Sequence, residues 1–207
     1  MSGVPSPVGY AVFDVGNVLI EWNPRFLFRK LISDPARLDW FMGHVWDDAW
    51  NIEMDRGQPF AEGIALLIAR HPEWEAEIRA YDERWDETAP NAIAANVALL
   101  EELRSNGIPR YAITNFSAEK FAASQRRFPF LDTFDGLVVS AHERLVKPDP
   151  AIFRLFLERY GLAASRGVFI DDSERNIRAA EALEFRTVHV QPGVDVRAEM
   201  VRSGLIV

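Results

Sequence analysis

No cysteine occurs in the 207 residues, which excludes disulfides, thiolate metal sites and cysteine nucleophiles and leaves the redox compartment undetermined. Histidine is scarce. His44, His71, His142 and His189 are scattered without a metal-ligand spacing, so they read as structural or exposed residues, and a histidine-centred mechanism is not expected. Positive charge is in deficit. With a formal net charge of −8 and no basic run, the chain lacks the footprint of a nucleic-acid or anionic-membrane binder, although a metal ion could still recruit an anionic substrate. Long apolar runs are missing too. Nothing approaches the roughly 18 apolar residues of a membrane span, and the opening MSGVPSPVGY has neither a basic n-region nor an apolar core of signal-peptide length. These absences predict a soluble, cytoplasmic protein with no nucleic-acid or membrane partner, and they leave its oligomeric state open.

The residues present describe a well-filled interior. Hydrophobic content of 48% and aromatic content of 12% suffice for a full core, in one domain with an insertion or in two small domains. Short β-rich runs recur at Tyr10-Val15, Arg110-Thr114, Leu137-Ser140, Val168-Ile170 and Arg186-Val190. Segments of helical periodicity separate the later ones, which is the mark of parallel βαβ units. From Asn91 to Asn106, Ile93, Val97, Leu100 and Leu103 share one helical face, with Asn106-Gly107 as a stop signal. Pro148-Asp149-Pro150 opens another helix, whose apolar face is Ile152, Phe153, Phe156 and Leu157. The predicted fold is α/β, a doubly wound, mostly parallel sheet.

Between the first and second strands, about 90 residues show no convincing strand and read as several helices, far more than a single crossover needs. That interval holds Trp40, Trp46, Trp50, Trp74 and Trp85, and Trp22 stands at its entrance. It reads as an α-helical cap, residues 22–89, inserted into a core made of residues 1–21 and 90–207.

Reactive side chains sit at four strand ends. Asp14 follows an apolar strand and precedes the turn Gly16-Asn17; Thr114-Asn115 follows RYAI, Lys147 follows LVVS, and Asp171-Asp172 follow GVFI. In an open α/β sheet, ligands bind at the carboxyl ends of the strands. Each feature alone has an ordinary explanation: Asp before Gly-Asn as a turn former, Thr-Asn as a helix cap, Lys before Pro as a solvated loop charge, and a double Asp as dipole complementation. Their joint occurrence points instead to one site assembled from distant segments.

In this order the four features resemble the haloacid dehalogenase-like hydrolases, and the resemblance spans nearly the whole chain. FDVGNVL matches the family's first motif with Asp14, ITN the second with Thr114 and Asn115, Lys147-Pro148 the third, and FIDDSERN the fourth with Asp171, Asp172 and Asn176. The helical insertion after the first motif is similar to that of the alpha-helical-cap members. The resemblance implies a phosphatase of small phosphate esters in which Asp14 attacks phosphorus in line and forms an aspartyl-phosphate. It also implies Mg²⁺, held by Asp14, Asp172 and the Gly16 carbonyl with Asp171 behind them. Lys147 would offset charge between nucleophile and phosphate, while Thr114, the Asn115 backbone and the turn N–H groups at Gly16 and Asn17 would hold phosphate oxygens.

One position departs from the family pattern. Most of its phosphatases carry a second Asp two residues after the nucleophile as general acid and base, and here that position is Gly16. General acid–base catalysis is typically worth about 10²–10⁴ in rate. The FDxGNV pattern resembles a subset that includes phosphatases of sugar 1-phosphates, of the alpha-glucose-1-phosphate phosphatase kind, whose anomeric leaving group tolerates a missing acid better. Water or a cap residue could supply the proton. Trp22, Trp46 or Trp50 could stack on a sugar ring, and Asp47, Asp48, Asn51, Glu53 or Asp55 could accept hydroxyl hydrogen bonds, the alternative being that the tryptophans pack the cap's own core. Two other readings stay open. A metal-independent 2-haloacid dehalogenase shares the first three motifs, but the acidic pair would crowd its nucleophile with like charge. A non-catalytic relative that binds a phosphorylated metabolite or a protein would have no need of Asp14.

Overall fold

All four residues of the first strand, β1 (Tyr10–Phe13), are buried, as expected of a strand covered on both faces. In the computed structural model, which describes residues 8–206, β1 is the centre of a five-stranded parallel sheet. The others are β2 (Arg110–Thr114), β3 (Gly136–Val139), β4 (Gly167–Asp171) and β5 (Arg186–His189), in the order β3-β2-β1-β4-β5. Residues 1–7, which carry most of the opening stretch inspected for a signal peptide, lie outside the described residues. Among the described residues no helix is long and apolar enough to cross a membrane.

Alternation along β1 sorts its side chains between two cores. Ala11 and Phe13 pack with Val168, Ile170 and Leu103, whereas Tyr10 and Val12 pack with Phe153, Phe156 and Ile177. The helices responsible are α6 (Ala94–Ser105) on the first face and α9 (Pro150–Tyr160) and α10 (Glu174–Glu181) on the second. Because chain order reverses about β1, with β2 on one side and β4 on the other, the carboxyl ends of β1, β2 and β4 meet at the switch point where such sheets bind ligands.

Two helical faces differ in detail from the periodicity. In α6 the buried residues are Asn96, Leu99, Leu100 and Leu103; Ile93 is its N-cap and Val97 is only half-buried. The cause is polar. The Asn96 Nδ2 donates to the Val18 carbonyl at 2.7 Å, which turns that amide inward and ties α6 to the loop after β1. In α9 Ile152, Phe153 and Phe156 are buried as expected, with the Asp149 side chain capping the Ala151 N–H, while Leu157 stays partly exposed.

Between β1 and α6 the chain forms five helices, α1 (Arg25–Leu31), α2 (Pro35–His44), α3 (Asp48–Asp55), α4 (Phe60–Arg70) and α5 (Glu75–Glu83), with short 3₁₀ turns at Pro72–Trp74 and Trp85–Thr88 and isolated bridges of Ile20 to Gly16 and Ala92. The entrance and exit of this helical segment run side by side. Glu21 N–H donates to the Asn91 carbonyl at 2.9 Å and Asn23 N–H to the Thr88 carbonyl at 2.8 Å. Inside, Phe28 packs on Phe41 and Tyr81 with centroids 4.7 and 5.8 Å apart. The same apolar cluster continues through Val15, Ala112 and Val139 and through Phe121 of α7 (Ala118–Arg127). The helical segment thus shares its hydrophobic core with the sheet side of the molecule.

Candidate active site

Asp14 stands one residue beyond β1, its own N–H still in the ladder as a donor to the Ile170 carbonyl at 2.8 Å. Its Oδ1 accepts from the Val15 N–H at 2.7 Å and lies 3.0 Å from Lys147 Nζ. Lys147 is no solvated loop charge. Its side chain is fully buried and its Nζ also donates to Asp171 Oδ2 at 2.6 Å. Asn115, the residue after β2, holds the lysine in place: Oδ1 accepts from the Lys147 N–H at 2.8 Å, and Nδ2 donates to the Lys147 carbonyl at 3.0 Å. The Lys147-Pro148 bond, whose isomer the sequence leaves open, is cis. Thr114 ends β2 as a buried residue immediately before this clamp.

On the other side of β1, Asp171 ends β4, fully buried. It accepts from the Ser173 N–H at 2.8 Å and from Asn176 Nδ2 at 3.0 and 3.1 Å, all in addition to Lys147. The next residue, Asp172, accepts from Asn17 Nδ2 at 3.2 Å. Asn17 has φ of 54°, a left-handed conformation that Asn tolerates better than most residues. Its Oδ1 accepts from the Trp22 N–H at 3.0 Å and its N–H donates to the Ile20 carbonyl at 2.7 Å. Asn17 therefore couples the β1 turn to the acidic pair and to the start of the helical segment.

One oxygen from each of Asp14, Asp171 and Asp172 falls within 4.8 Å of the others. A single ammonium faces three carboxylates, and the electrostatics record the imbalance. Burial pushes Asp14 up to about 7; Lys147 pulls it down while Asp171 and Asp172 push it further up. Asp172 is raised as well, by burial and then by Asp171. Burial works against the charge on Lys147, but Asp14 and Asp171 outweigh it and hold the ammonium above its usual range. Hard carboxylate oxygens, clustered with negative charge in excess, fit a small divalent cation of the Mg²⁺ type. Asp14 and Asp172 are placed to contact it, whereas both Asp171 oxygens already serve Lys147 and Asn176.

These groups open into a cavity of about 620 Å³. Its floor is Asp14, Gly16, Asn17, Asn115, Lys147 and Asp172; its roof is one face of α3, with Asp48, Asn51, Ile52 and Asp55, joined by Trp22, Tyr81 and Trp85. The tryptophans named from the sequence separate here. Trp22 lines the cavity; Trp46 is buried in the core; Trp50 lies outside the cavity lining, its Nε1 donating to the Gly63 carbonyl at 3.1 Å and its ring against Trp46 and Tyr81. Likewise Asp47 caps α3 through the Trp50 N–H at 2.7 Å, and Glu53 faces a second hollow beside His44 and His71. The helical period sorts them, since residues 48, 51, 52 and 55 share a face that 47, 50 and 53 do not. Sequence reasoning passed over Ser117, Phe116 and Ser140, which stand just past strand ends or at them and carried no motif. Arg175, within the FIDDSERN run, also lines the cavity, and nothing in its spacing marks it.

The site is that of a carboxylate-based α/β hydrolase. A sequence profile described as haloacid dehalogenase-like hydrolase matches residues 10–184, and the chain belongs to that family. Among its relatives is the sesquiterpene phosphatase astK of Aspergillus oryzae, 26% identical over 180 residues that cover 87% of this chain and 88% of that one. The phosphoglycolate phosphatase of Pectobacterium atrosepticum is 26% identical over 145 residues, 63% of this chain and 62% of that one. Among solved structures, a HAD family enzyme of Bacteroides thetaiotaomicron in complex with magnesium and inorganic phosphate superposes with a TM-score of 0.72. The two are 23% identical, with 91% of this chain and 96% of that chain covered; at that identity the likeness concerns the fold.

Proposed function

We propose that the protein is a Mg²⁺-dependent phosphatase of small phosphorylated metabolites, sugar phosphates foremost, working through an aspartyl-phosphate on Asp14. The observation that carries this reading is the charge imbalance around Asp14, where three buried or half-buried carboxylates meet one ammonium. A metal-free dehalogenase would have to ionise its nucleophile against that field, and a pure binding protein would have no use for a nucleophile poised on Lys147. The phosphatase relatives support the same choice.

In this reading Asp14 Oδ2, which makes neither of the bonds to Val15 and Lys147, attacks phosphorus. Lys147 draws charge from both nucleophile and phosphate, and Asn115 keeps it in position. The bound metal would supply charge neutralisation for the phosphoryl oxygens, with Asp14, Asp172 and the Gly16 carbonyl as its protein oxygens. Thr114, the Asn115 backbone and the Gly16-Asn17 turn would meet the remaining phosphate oxygens. Residues 22–89 would act as a cap on the core of 1–21 and 90–207, pivoting on the paired segments at Glu21/Asn91 and Asn23/Thr88. Trp22 would face a sugar ring, and Trp50 would act at one remove by bracing Tyr81.

A second reading has its own support. Ile52, Phe60, Trp85, Phe116 and Val146 give part of the cavity an apolar wall, which suits an isoprenoid phosphate such as the relative's name suggests. A panel of sugar 1- and 6-phosphates, 2-phosphoglycolate, farnesyl phosphate and 2-chloropropionate, assayed with Mg²⁺ and with EDTA, separates the possibilities. The expected result is phosphate release, fastest with sugar 1-phosphates, that falls by about 10² or more in EDTA, since a metal ion contributes several kcal/mol to such transition states. Preference for farnesyl phosphate would move the substrate to the second reading. Halide release indifferent to EDTA would overturn both.

A further inference from the structure

Gly16 leaves the reaction without a proton donor beside the nucleophile, and the cavity carries two carboxyls on its opposite wall, Asp48 and Asp55. We propose that Asp55, the last residue of α3, is the general acid and base of the hydrolysis, in place of the side chain absent at position 16. The inference rests on the phosphatase reading above and adds the residue that protonates the leaving group.

Geometry singles out Asp55 among the acidic residues of the helical segment. Both Asp48 and Asp55 line the same cavity as Asp14 and Lys147, but Asp48 is exposed at the first turn of α3, whereas the core side of the molecule grips the backbone around Asp55. Ser140 Oγ, at the end of β3, donates to the Asp55 carbonyl at 2.5 Å and accepts from the Phe116 N–H at 2.9 Å. The turn that follows is seated as firmly. Gly57 has φ of +102°, and a Cβ there would stand 2.8 Å from the Ala141 carbonyl oxygen, so only glycine permits this approach. Asp55 thus belongs to the inserted helices in sequence but is anchored beside the loop after β2, which carries Asn115 and Ser117, and the end of β3 at Ser140.

The carboxyl is also prepared for proton transfer. Asn51 Nδ2 donates to its Oδ2 at 3.3 Å, and Asn51 Oδ1 is in turn held by the Tyr81 hydroxyl at 2.9 Å. Burial pushes Asp55 up to about 7, against the opposing pull of a Ser117 backbone hydrogen bond and of Lys147. The charged and titratable groups that share its surroundings are Lys147, Tyr81 and Asp48, with Arg56 and Arg175 on the cavity wall. A donor whose pKa lies near neutral pH is suited to give a proton in one step and take one in the next.

The proton balance closes over two displacements. As Asp14 Oδ2 bonds to phosphorus, the ester P–O bond breaks with its electron pair passing to the leaving oxygen, which takes the Asp55 proton and departs as the alcohol. The Asp55 carboxylate then takes a proton from water as the water oxygen attacks the aspartyl-phosphate. The bond from phosphorus to Asp14 breaks, inorganic phosphate leaves, and Asp55 is again protonated.

The test compares esters whose leaving groups need a proton with one that does not. Asp55→Asn is expected to lower kcat on an alkyl or sugar phosphate by about 10²–10⁴. Its loss on 4-nitrophenyl phosphate should be far smaller, because nitrophenolate departs unprotonated. In the unaltered protein, turnover of the alkyl ester should fall as the pH rises above about 7, and this limb should vanish in the variant. Position 16 offers a rescue, since a Cβ there meets nothing within 4 Å. Gly16→Asp in the Asp55→Asn background should recover alkyl-ester turnover by about tenfold or more. Equal losses on both esters, or no loss on either, would overturn the role of Asp55 while leaving the phosphatase reading intact. Should Asp55→Asn fail to fold, Asp55→Glu serves, with an expected shift in the pH limb, and an unchanged profile counts against the proposal. An unaltered protein that released phosphate from neither ester would overturn the underlying function and this role together.

Discussion

Asp14→Asn is expected to abolish turnover, by about 10⁴-fold or more, because the amide cannot form the covalent intermediate and what remains is binding and electrostatics alone. The fold should survive. Burial already pushes the Asp14 carboxyl up to about 7, so a neutral isostere removes a charge that the metal-free site disfavours, and Lys147 keeps its 2.6 Å bond to Asp171. The melting temperature in EDTA should therefore equal or exceed that of the parent. Phosphate release under saturating Mg²⁺ is the measurement to make, and an undiminished rate would rule out covalent catalysis at this residue.

Lys147→Met is expected to damage stability and activity together. The ammonium is buried between Asp14 and Asp171, and removing one partner of a buried ionic group costs about 3–5 kcal/mol because the remaining charges are left uncompensated. For a domain of this size that corresponds to a fall in Tm of roughly 6–20 °C. The sign of its pH dependence follows from Asp14. Its folded pKa lies above the unfolded value and rises further without the ammonium, so the folded state is penalised progressively as pH rises past the ordinary carboxylate range. In EDTA the stability deficit should be larger at pH 8 than at pH 5. A deficit independent of pH would mean that lost packing, not charge, sets the cost. Turnover should fall by at least about 10², the scale on which removal of one electrostatic stabiliser is felt.

How much of this was legible in the sequence depended on the range of the interaction. The five strands could be read because each is a short apolar run bounded by turn residues, and a strand covered on both faces leaves that mark in composition. The helical face of α9 was legible for the same reason. In α6 the period holds at Leu100 and Leu103 but not at Ile93 and Val97, where Asn96 and Leu99 are buried instead, because the Asn96 amide turns inward to reach Val18, a contact between residues 78 apart that no local period reports. The motif residues at strand ends were visible one by one, but the burial of Lys147 was not. A lysine before proline looks like a loop charge until Asn115 and two carboxylates close around it.

The tryptophans make the same point. The sequence offered Trp22, Trp46 and Trp50 as equals, and nothing in their spacing distinguishes a ring that lines a cavity from one that fills a core. Packing against Phe28 and Tyr81 buries Trp46 inside the helical segment, packing against Phe60 leaves Trp50 half-buried at the second hollow, and Trp22 stays at the cavity. In the sequence Asp55 is only one of several acceptors for a sugar hydroxyl. Its particular position depends on Ser140 and Ala141, distant in the chain, and on the turn at Gly57 two residues on, none of them part of a motif.

By itself, then, the sequence determined the class of fold, the order of the strand-end residues and the chemistry those residue types allow, since apolar periodicity and turn chemistry act within a few residues. Tertiary structure alone decided which side chains meet: that one buried ammonium must serve two of three clustered carboxylates, and that an aspartate of the inserted helices is gripped at the rim of the sheet. Those outcomes depend on desolvation and on contacts across tens of residues, and both come into being only when the strands align and the helical segment closes over their ends.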